Sequence, residues 1–218
     1  VTPPVAPEVP PAPEQARAVF GAALTGVERY VARLATDGVT RGLIGPREVP
    51  RLWERHVLNS AAVAEAVPQG ARVVDVGSGA GLPGVPLGLA RPDLALTLVE
   101  PMARRVEFLE EVVEELGTPW RVVRGRAEER ATRAAVGPVD VVTARAVAAL
   151  PRLVGWCRGL MAPGTLLVAL VGSRAVEELP GMLPELEAAG MRGVSARAVG
   201  AELGEAATTV VVMTRGRR

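Results

Sequence analysis

Beyond about Gly70 the chain alternates short β-branched runs with segments whose apolar residues recur at helical spacing. RVVDV, LTLVE, WRVVR, VDVVTA and GTLLVALV are apolar at successive positions, which predicts strands. Between them, Val85–Ala90, Met102–Leu116, Glu128–Val136, Val147–Met161 and Ala175–Ala189 read as helices. Strand–helix alternation of this kind predicts an α/β fold with a doubly wound, mostly parallel sheet covered on both faces. The alternation ends at MRGVSARAV and ATTVVVMTR, two extended segments separated only by GAELGE, which predicts a C-terminal antiparallel hairpin. Upstream, Val19, Leu24, Val27, Val31 and Leu34 predict an amphipathic helix over Ala16–Ala35. GLIGPRE then turns the chain into a second helix over Val49–Val67, with Pro50 in its first turn. The opening VTPPVAPEVPPAPEQ has no apolar period and many prolines, so it reads as a disordered or extended tail. The expected organisation is therefore a tail over 1–15, a helical extension over 16–69 and an α/β domain over 70–218.

The sharpest local signal is Asp75-Val76-Gly77-Ser78-Gly79-Ala80-Gly81-Leu82-Pro83-Gly84, lying directly after a strand and before a helix. Glycines there permit a sharp turn and close approach of a ligand to the backbone. Glu100 ends the next strand, 19 positions after Gly81, where a carboxylate can accept hydrogen bonds from both hydroxyls of a ribose. Together these features point to an adenosine-containing cofactor. Gly79-Ala80-Gly81-Leu82-Pro83-Gly84 formally fits the dinucleotide pattern GxGxxG, so a nicotinamide-dependent oxidoreductase is one reading. Against it, the glycine at the strand end is Gly77, and Gly77-x-Gly79-x-x-Leu82 breaks that pattern. Asp75 instead makes DxGxGxG, with a carboxylate able to position the amino-acid part of S-adenosylmethionine. The C-terminal hairpin also suits a Rossmann-like class I methyltransferase sheet.

Composition narrows the class further. The chain is 49% hydrophobic, yet no apolar run reaches the roughly 18 residues of a membrane span, and no signal peptide opens it. A single cysteine, Cys157, excludes an internal disulfide and fits a reducing, cytoplasmic setting. It lies in the apolar run Leu153-Val154-Gly155-Trp156-Cys157, as a core residue would. No His/Cys/carboxylate cluster has metal-ligand spacing, so no metal is expected. Net charge is only +1, but all 25 basic residues are arginine, which reads as genomic composition bias as readily as function.

The chain resembles the glucose-inhibited division protein B family, methyltransferases of guanine N7 in small-subunit ribosomal RNA. The resemblance rests on Arg55-His56 with Asn59-Ser60, on DVGSGAGLPGVPL, and on Arg104-Arg105-Val106-Glu107-Phe108-Leu109. Arg126-Ala127-Glu128 and Thr143-Ala144-Arg145-Ala146-Val147-Ala148 complete it, so that it covers about Gly42 to Gly172. It implies S-adenosylmethionine bound by Gly77, Leu82, Ala127, Glu128 and Arg145, to which the loop itself adds Asp75, Ser78 and Gly79, and the end of the next strand adds Glu100. Two departures stand out. Val171-Gly172 replaces a common Lys-Gly, leaving Arg174 as a nearby basic residue, and Gly38-Val39-Thr40-Arg41 replaces an Asn-Leu-Thr run.

The implied chemistry suits the residues. Guanine N7 carries an exposed lone pair, so transfer needs alignment and no general base. There is no Asn-Pro-Pro-aromatic run of the kind expected for exocyclic amine methylation. Arg145, after the fourth strand, is the residue whose loss should hurt activity most. An arginine touching the base should hold O6 or a phosphate, because one on N7 would block the reaction. Arg47, Arg51 and Arg55 recur every four residues beside His56, and on an α-helix would form one ridge able to grip RNA phosphates. The expectation is a monomeric enzyme acting on ribosomal RNA or the small subunit. Its rivals are a methyltransferase of proteins or small molecules, the oxidoreductase, and a binding module without turnover.

Overall fold

The computed structural model describes residues 9–145 and 148–217. Seven strands form one sheet in the order β3-β2-β1-β4-β5-β7-β6. They are β1 Arg72–Val76, β2 Ala95–Glu100, β3 Arg121–Arg124, β4 Val141–Arg145, β5 Leu166–Val171, β6 Met191–Val199 and β7 Thr208–Arg215. The first five are parallel, and β7 runs antiparallel between β5 and β6. The GAELGE connection is a short 3-10 turn, Ala201–Ala206.

Alternation along β1, β2, β4 and β5 explains why these runs are almost wholly apolar: neighbouring residues point to opposite faces, and both faces are buried, whereas β3 is at most half-buried and β6 largely exposed. Val73, Leu96, Leu98, Val141 and Val168 enter one core, while Val74, Val76, Val99, Val142 and Leu167 enter the other. Helices α4 (Gly84–Ala90) and α5 (Ala103–Leu116) cover the first face. Helices α6 (Arg130–Val136), α7 (Leu150–Cys157) and α8 (Ser173–Ala188) cover the second. The expected start of α7 at Val147 lies outside the described residues.

The extension is helical but irregular. Helix α1 spans Glu14–Phe20, opening before the expected Ala16, and Gly21 (φ 48°, ψ −120°) breaks the run before α2, Leu24–Arg33. The turns then widen over Leu34–Gly38. In place of one helix over Val49–Val67, a tight 3-10 segment, Pro46–Arg51, passes into a wide π-type one, Leu52–Leu58. One α-turn (α3, Asn59–Ala61) and a second 3-10 stretch, Ala62–Ala66, complete the segment. Pro50 lies inside the tight segment, which opens at Pro46 before the expected Val49.

This extension has no core of its own. Val27, Val31, Leu34, Leu52, Val57 and Leu58 share one cluster with Leu87, Leu98 and Phe108 of the α/β domain. Arg33 and Arg41 both pair with Glu111 of α5, and each guanidinium lies 5.8 Å from the Phe108 ring centroid. Part of the proline-rich opening is also docked: Trp53 Nε1 donates to Pro10 O at 2.9 Å. Residues 1–8 of the expected tail lie outside the described residues, whereas Glu14 and Gln15 already belong to α1.

Candidate active site

The carboxyl ends of β1 to β4 surround a cavity of about 470 Å³, at the crevice where the strand order reverses between β1 and β4. Its floor is the glycine loop. Gly77, Gly79 and Gly81 have φ of 69°, 58° and 96°, a region that residues with a Cβ avoid. The N–H groups of Gly77 and Ser78 donate to Val99 O at 2.8 and 3.1 Å, tying the loop to β2. Ser78 Oγ donates back to Asp75 O at 2.9 Å. Gly84, at the start of α4, is needed for closeness: a Cβ there would stand 2.5 Å from Leu98 Cδ2 and 2.9 Å from Asp75 Oδ2.

Asp75 does not line the cavity, which corrects the expectation that its carboxylate meets the cofactor directly. It shares a face with Val73 and is fully buried, accepting from Thr143 Oγ1 at 2.9 Å and Gly84 N at 3.3 Å. Burial pushes its pKa up to about 6, against the hydrogen bonds that favour the anion. Because the folded state binds this proton more tightly than the unfolded chain, the contribution to stability is largest below pH ~4. It is lost as pH rises through about 6. Asp75→Asn, with its oxygen towards Gly84 N and its amide towards Thr143 Oγ1, should remove that dependence. The difference in unfolding free energy between wild type and variant, measured from pH 4 to 7, should therefore favour the variant more as pH rises. A difference that is flat across this window would contradict the shift.

Glu100 is 1% exposed yet contributes to the cavity wall. Its Oε2 accepts from Gly79 N and its Oε1 from Met102 N, both at 3.0 Å, and Arg105 Nη1 stands 3.7 Å from Oε2. Each carboxylate oxygen has a second lone pair, so acceptors remain for two hydroxyl donors. Around it lie Val99, Pro101, Met102 and the Arg126-Ala127-Glu128 segment that follows β3. Gly77, Ser78, Gly79, Leu82, Ala127, Glu128 and Arg145, named from the sequence, all line this one cavity. Arg105 belongs to a motif singled out in the sequence, but its place beside Glu100 was not foreseen.

Arg145 closes the opposite wall. Its Nη1 donates to Ser60 Oγ (3.1 Å) and His56 O (3.4 Å), and its Nη2 to Arg55 O (2.9 Å) and His56 Nδ1 (3.1 Å). The guanidinium thus bridges the sheet to the extension without a carboxylate partner among the hydrogen bonds described. His56 also lines the cavity, and its Nε2 meets Glu48 Oε2 at 2.8 Å. The arginine ridge fares differently. Arg47, Arg51 and Arg55 are exposed and outside the cavity lining. Arg47 and Arg51 sit on a 3-10 segment, where four residues turn the chain about 120° past a full turn, so they do not stack on one face. Arg55 pairs with Glu48 at 3.4 Å. Arg174 is 88% exposed, bound to Glu178 and away from the cavity. Ala146 and Val147 of the Arg145 motif lie outside the described residues.

Sequence reasoning also missed Tyr30, Leu43, Ile44 and Trp156. Tyr30, the chain's only tyrosine, is buried at a core position of α2, and its hydroxyl donates to Ala80 O in the glycine loop at 2.7 Å. A polar tip on an otherwise apolar stripe was the available signal. Burial raises its pKa well above the ordinary value, so it stays a donor. Tyr30→Phe leaves a loop carbonyl without its partner, a loss of about 1–2 kcal/mol. Calorimetry should show S-adenosylmethionine binding weakened by roughly tenfold, and unchanged affinity would remove Tyr30 from the site. Cys157, fully buried with its thiol pushed up to about 12 by burial, has no nucleophilic character at neutral pH. Among the described residues no group of three His, Cys, Asp or Glu could hold a metal ion, and no helix is long and apolar enough to cross a membrane.

Comparison with known proteins agrees with this geometry. The model of the rRNA small subunit methyltransferase G family matches residues 24–203. The ribosomal RNA small subunit methyltransferase G of Mycolicibacterium gilvum is 50% identical over 205 residues, covering 94% of this chain and 90% of the relative. Its namesake from Streptomyces avermitilis is 54% identical over 205 residues, covering 94% and 85%. Among solved structures, a SAM-dependent methyltransferase from Aquifex aeolicus aligns with a TM-score of 0.54 at 19% identity, over 76% of this chain and 93% of that one, and shares the fold. With the family model matching most of the extension and six of the seven strands, the chain belongs to the rRNA small subunit methyltransferase G family, S-adenosylmethionine-dependent enzymes that methylate a guanine of 16S ribosomal RNA.

Proposed function

We propose that the chain transfers a methyl group from S-adenosylmethionine to N7 of a guanine in small-subunit ribosomal RNA, acting as a cytoplasmic monomer. The observation that carries N7 is the character of the cavity wall opposite Glu100: among the described residues it is an arginine held by fixed acceptors beside an imidazole with both nitrogens engaged, with no accessible thiol. Carbon methylation at a pyrimidine would want a thiolate, and Cys157 is buried. His56, the imidazole at the cavity, has both nitrogens engaged. N7 needs neither group.

The residues fit the cofactor. Glu100 would hold the ribose hydroxyls, the loop from Gly77 to Gly79 with Leu82 would approach the chain of the ligand, and Ala127-Glu128 would flank its base. The cofactor would supply an electrophilic methyl on a sulfonium: N7 would attack that carbon in line while the S–CH3 bond breaks, the neutral thioether would leave, and no proton has to be removed. The protein's task is alignment, worth on the order of 7–11 kcal/mol in favourable cases. Arg145 serves it by holding the guanine O6 or a phosphate from the cavity wall. Arg47, Arg51 and Arg55 serve it by gripping RNA phosphates around the mouth, although they do so from different faces.

The test is transfer of labelled methyl to small subunits and to stripped RNA from cells lacking this gene. Label recovered as 7-methylguanine supports the reading. Label in another nucleotide, or none despite measured cofactor binding, overturns it.

A further inference from the structure

Hydrogen-bond chemistry settles the state of the imidazole beside the cavity. Arginine can only donate, so the Nη2 contact of Arg145 at 3.1 Å requires His56 Nδ1 to be an unprotonated acceptor. A carboxylate can only accept, so the 2.8 Å contact from Nε2 to Glu48 requires the proton there. Both contacts are satisfied by one species, the neutral Nε2–H imidazole. The opposite tautomer would set two donors against each other at Arg145 and two acceptors against each other at Glu48.

We propose that Glu48 is a positioning residue: it holds His56 as the neutral Nε2–H tautomer, whose Nδ1 lone pair orients the Arg145 guanidinium on the cavity wall. The inference deepens the methyl-transfer reading given above and rests on it for the link to activity. Glu48 reaches His56 from the tight Pro46–Arg51 segment, whereas Arg145 reaches it from the end of β4. The remaining charges around the imidazole are Arg55 on its own segment and Arg51, which acts on Glu48. Tyr30 of α2 lies near Arg145 with its phenol held neutral by burial. Burial and the Arg145 charge push His56 below its ordinary pKa while Glu48 opposes them, and the net direction is downward. Neutral imidazole is therefore the form present at physiological pH. Protonation would replace the Nδ1 acceptor with a donor facing a cation, and the guanidinium would lose that anchor.

The chain has one histidine, so its imidazole nitrogens can be read by nitrogen NMR on histidine-labelled protein without ambiguity of assignment. At pH 7 the wild type should show a pyridine-type Nδ1 and a pyrrole-type Nε2, with a protonation midpoint below ~6.5. Glu48→Gln keeps an acceptor for Nε2–H and removes the charge that favours imidazolium, so the tautomer should persist and the midpoint should fall further. Glu48→Ala removes the acceptor, and the Nδ1–H tautomer should appear. Methyl transfer should follow: an acid limb in the rate profile that moves with the Glu48→Gln midpoint. In Glu48→Ala kcat should drop about tenfold, with KM for S-adenosylmethionine changed much less. An Nδ1–H pattern in the wild type, or a midpoint unmoved in Glu48→Gln, would overturn the role of Glu48. An acid limb that stays fixed while the midpoint moves would overturn the link to activity and point to Asp75 instead. The spectra need no turnover, so failure of the RNA reading would appear separately, as absent label.

Discussion

Glu100→Ala should abolish practical cofactor binding, weakening the S-adenosylmethionine Kd by at least about 100-fold. Two hydrogen bonds from ligand hydroxyls to a carboxylate are lost, each worth roughly 1.5–3 kcal/mol. The substitution also strips Gly79 N and Met102 N of their acceptor and removes the carboxylate beside Arg105, so the loop should loosen as well. Glu100→Gln should not rescue, because one of its two terminal atoms becomes an NH₂ facing a backbone donor. Calorimetric titration with unfolding curves on the same samples separates the effects. A folded Glu100→Ala protein that binds with wild-type affinity would show that the hydroxyls are recognised elsewhere.

The second large effect should come from Arg145→Ala, with kcat/KM down by about 100-fold, the scale expected when a reacting group is misplaced by ~1 Å. The alanine leaves the carbonyls of Arg55 and His56, the Ser60 hydroxyl and His56 Nδ1 facing an unfilled wall. Lysine is a discriminating control. It preserves the charge but cannot present a planar fork to four acceptors, so Arg145→Lys should stay at least tenfold below wild type. Single-turnover transfer read against cofactor Kd is the measurement. A fully active lysine variant would mean that charge alone matters at this position.

The inner strands were legible because burial on both faces needs largely apolar runs, and the exposed β6 because its residues lack a helical period. RVVDV and MRGVSARAV coincide with β1 and β6 residue for residue, and the other strands differ by a residue or two at their ends. The insertion of β7 between β5 and β6 was not legible, since local pattern says that two segments pair but not which of them meets a third. The irregular helices escaped for a local reason: a three-to-four-residue period fits α, 3-10 and π turns alike over short spans. The site divided along the same line. Glu100 and the glycine loop are a contiguous signature and were found from it. Asp75 was read as a residue able to meet the cofactor, yet it is buried away from the cavity, because a motif gives a residue's place in the chain and not the side on which the cavity opens. Tyr30 with Ala80, and Glu48 and His56 with Arg145, join residues far apart in the chain. Only the folded topology brings them together.

Those two crossings, Tyr30 to Ala80 and Arg145 to the segment around His56, tie the walls of the cavity to the extension. Ligation on one side is therefore not energetically private. If filling the cavity stiffens the extension and strengthens its hold on RNA by some factor, RNA must strengthen the hold on cofactor by that same factor. The ternary complex then has one free energy whichever partner arrives first. Product release, which must undo both contacts, inherits the coupling in reverse: demethylated cofactor should leave more readily once the RNA has gone.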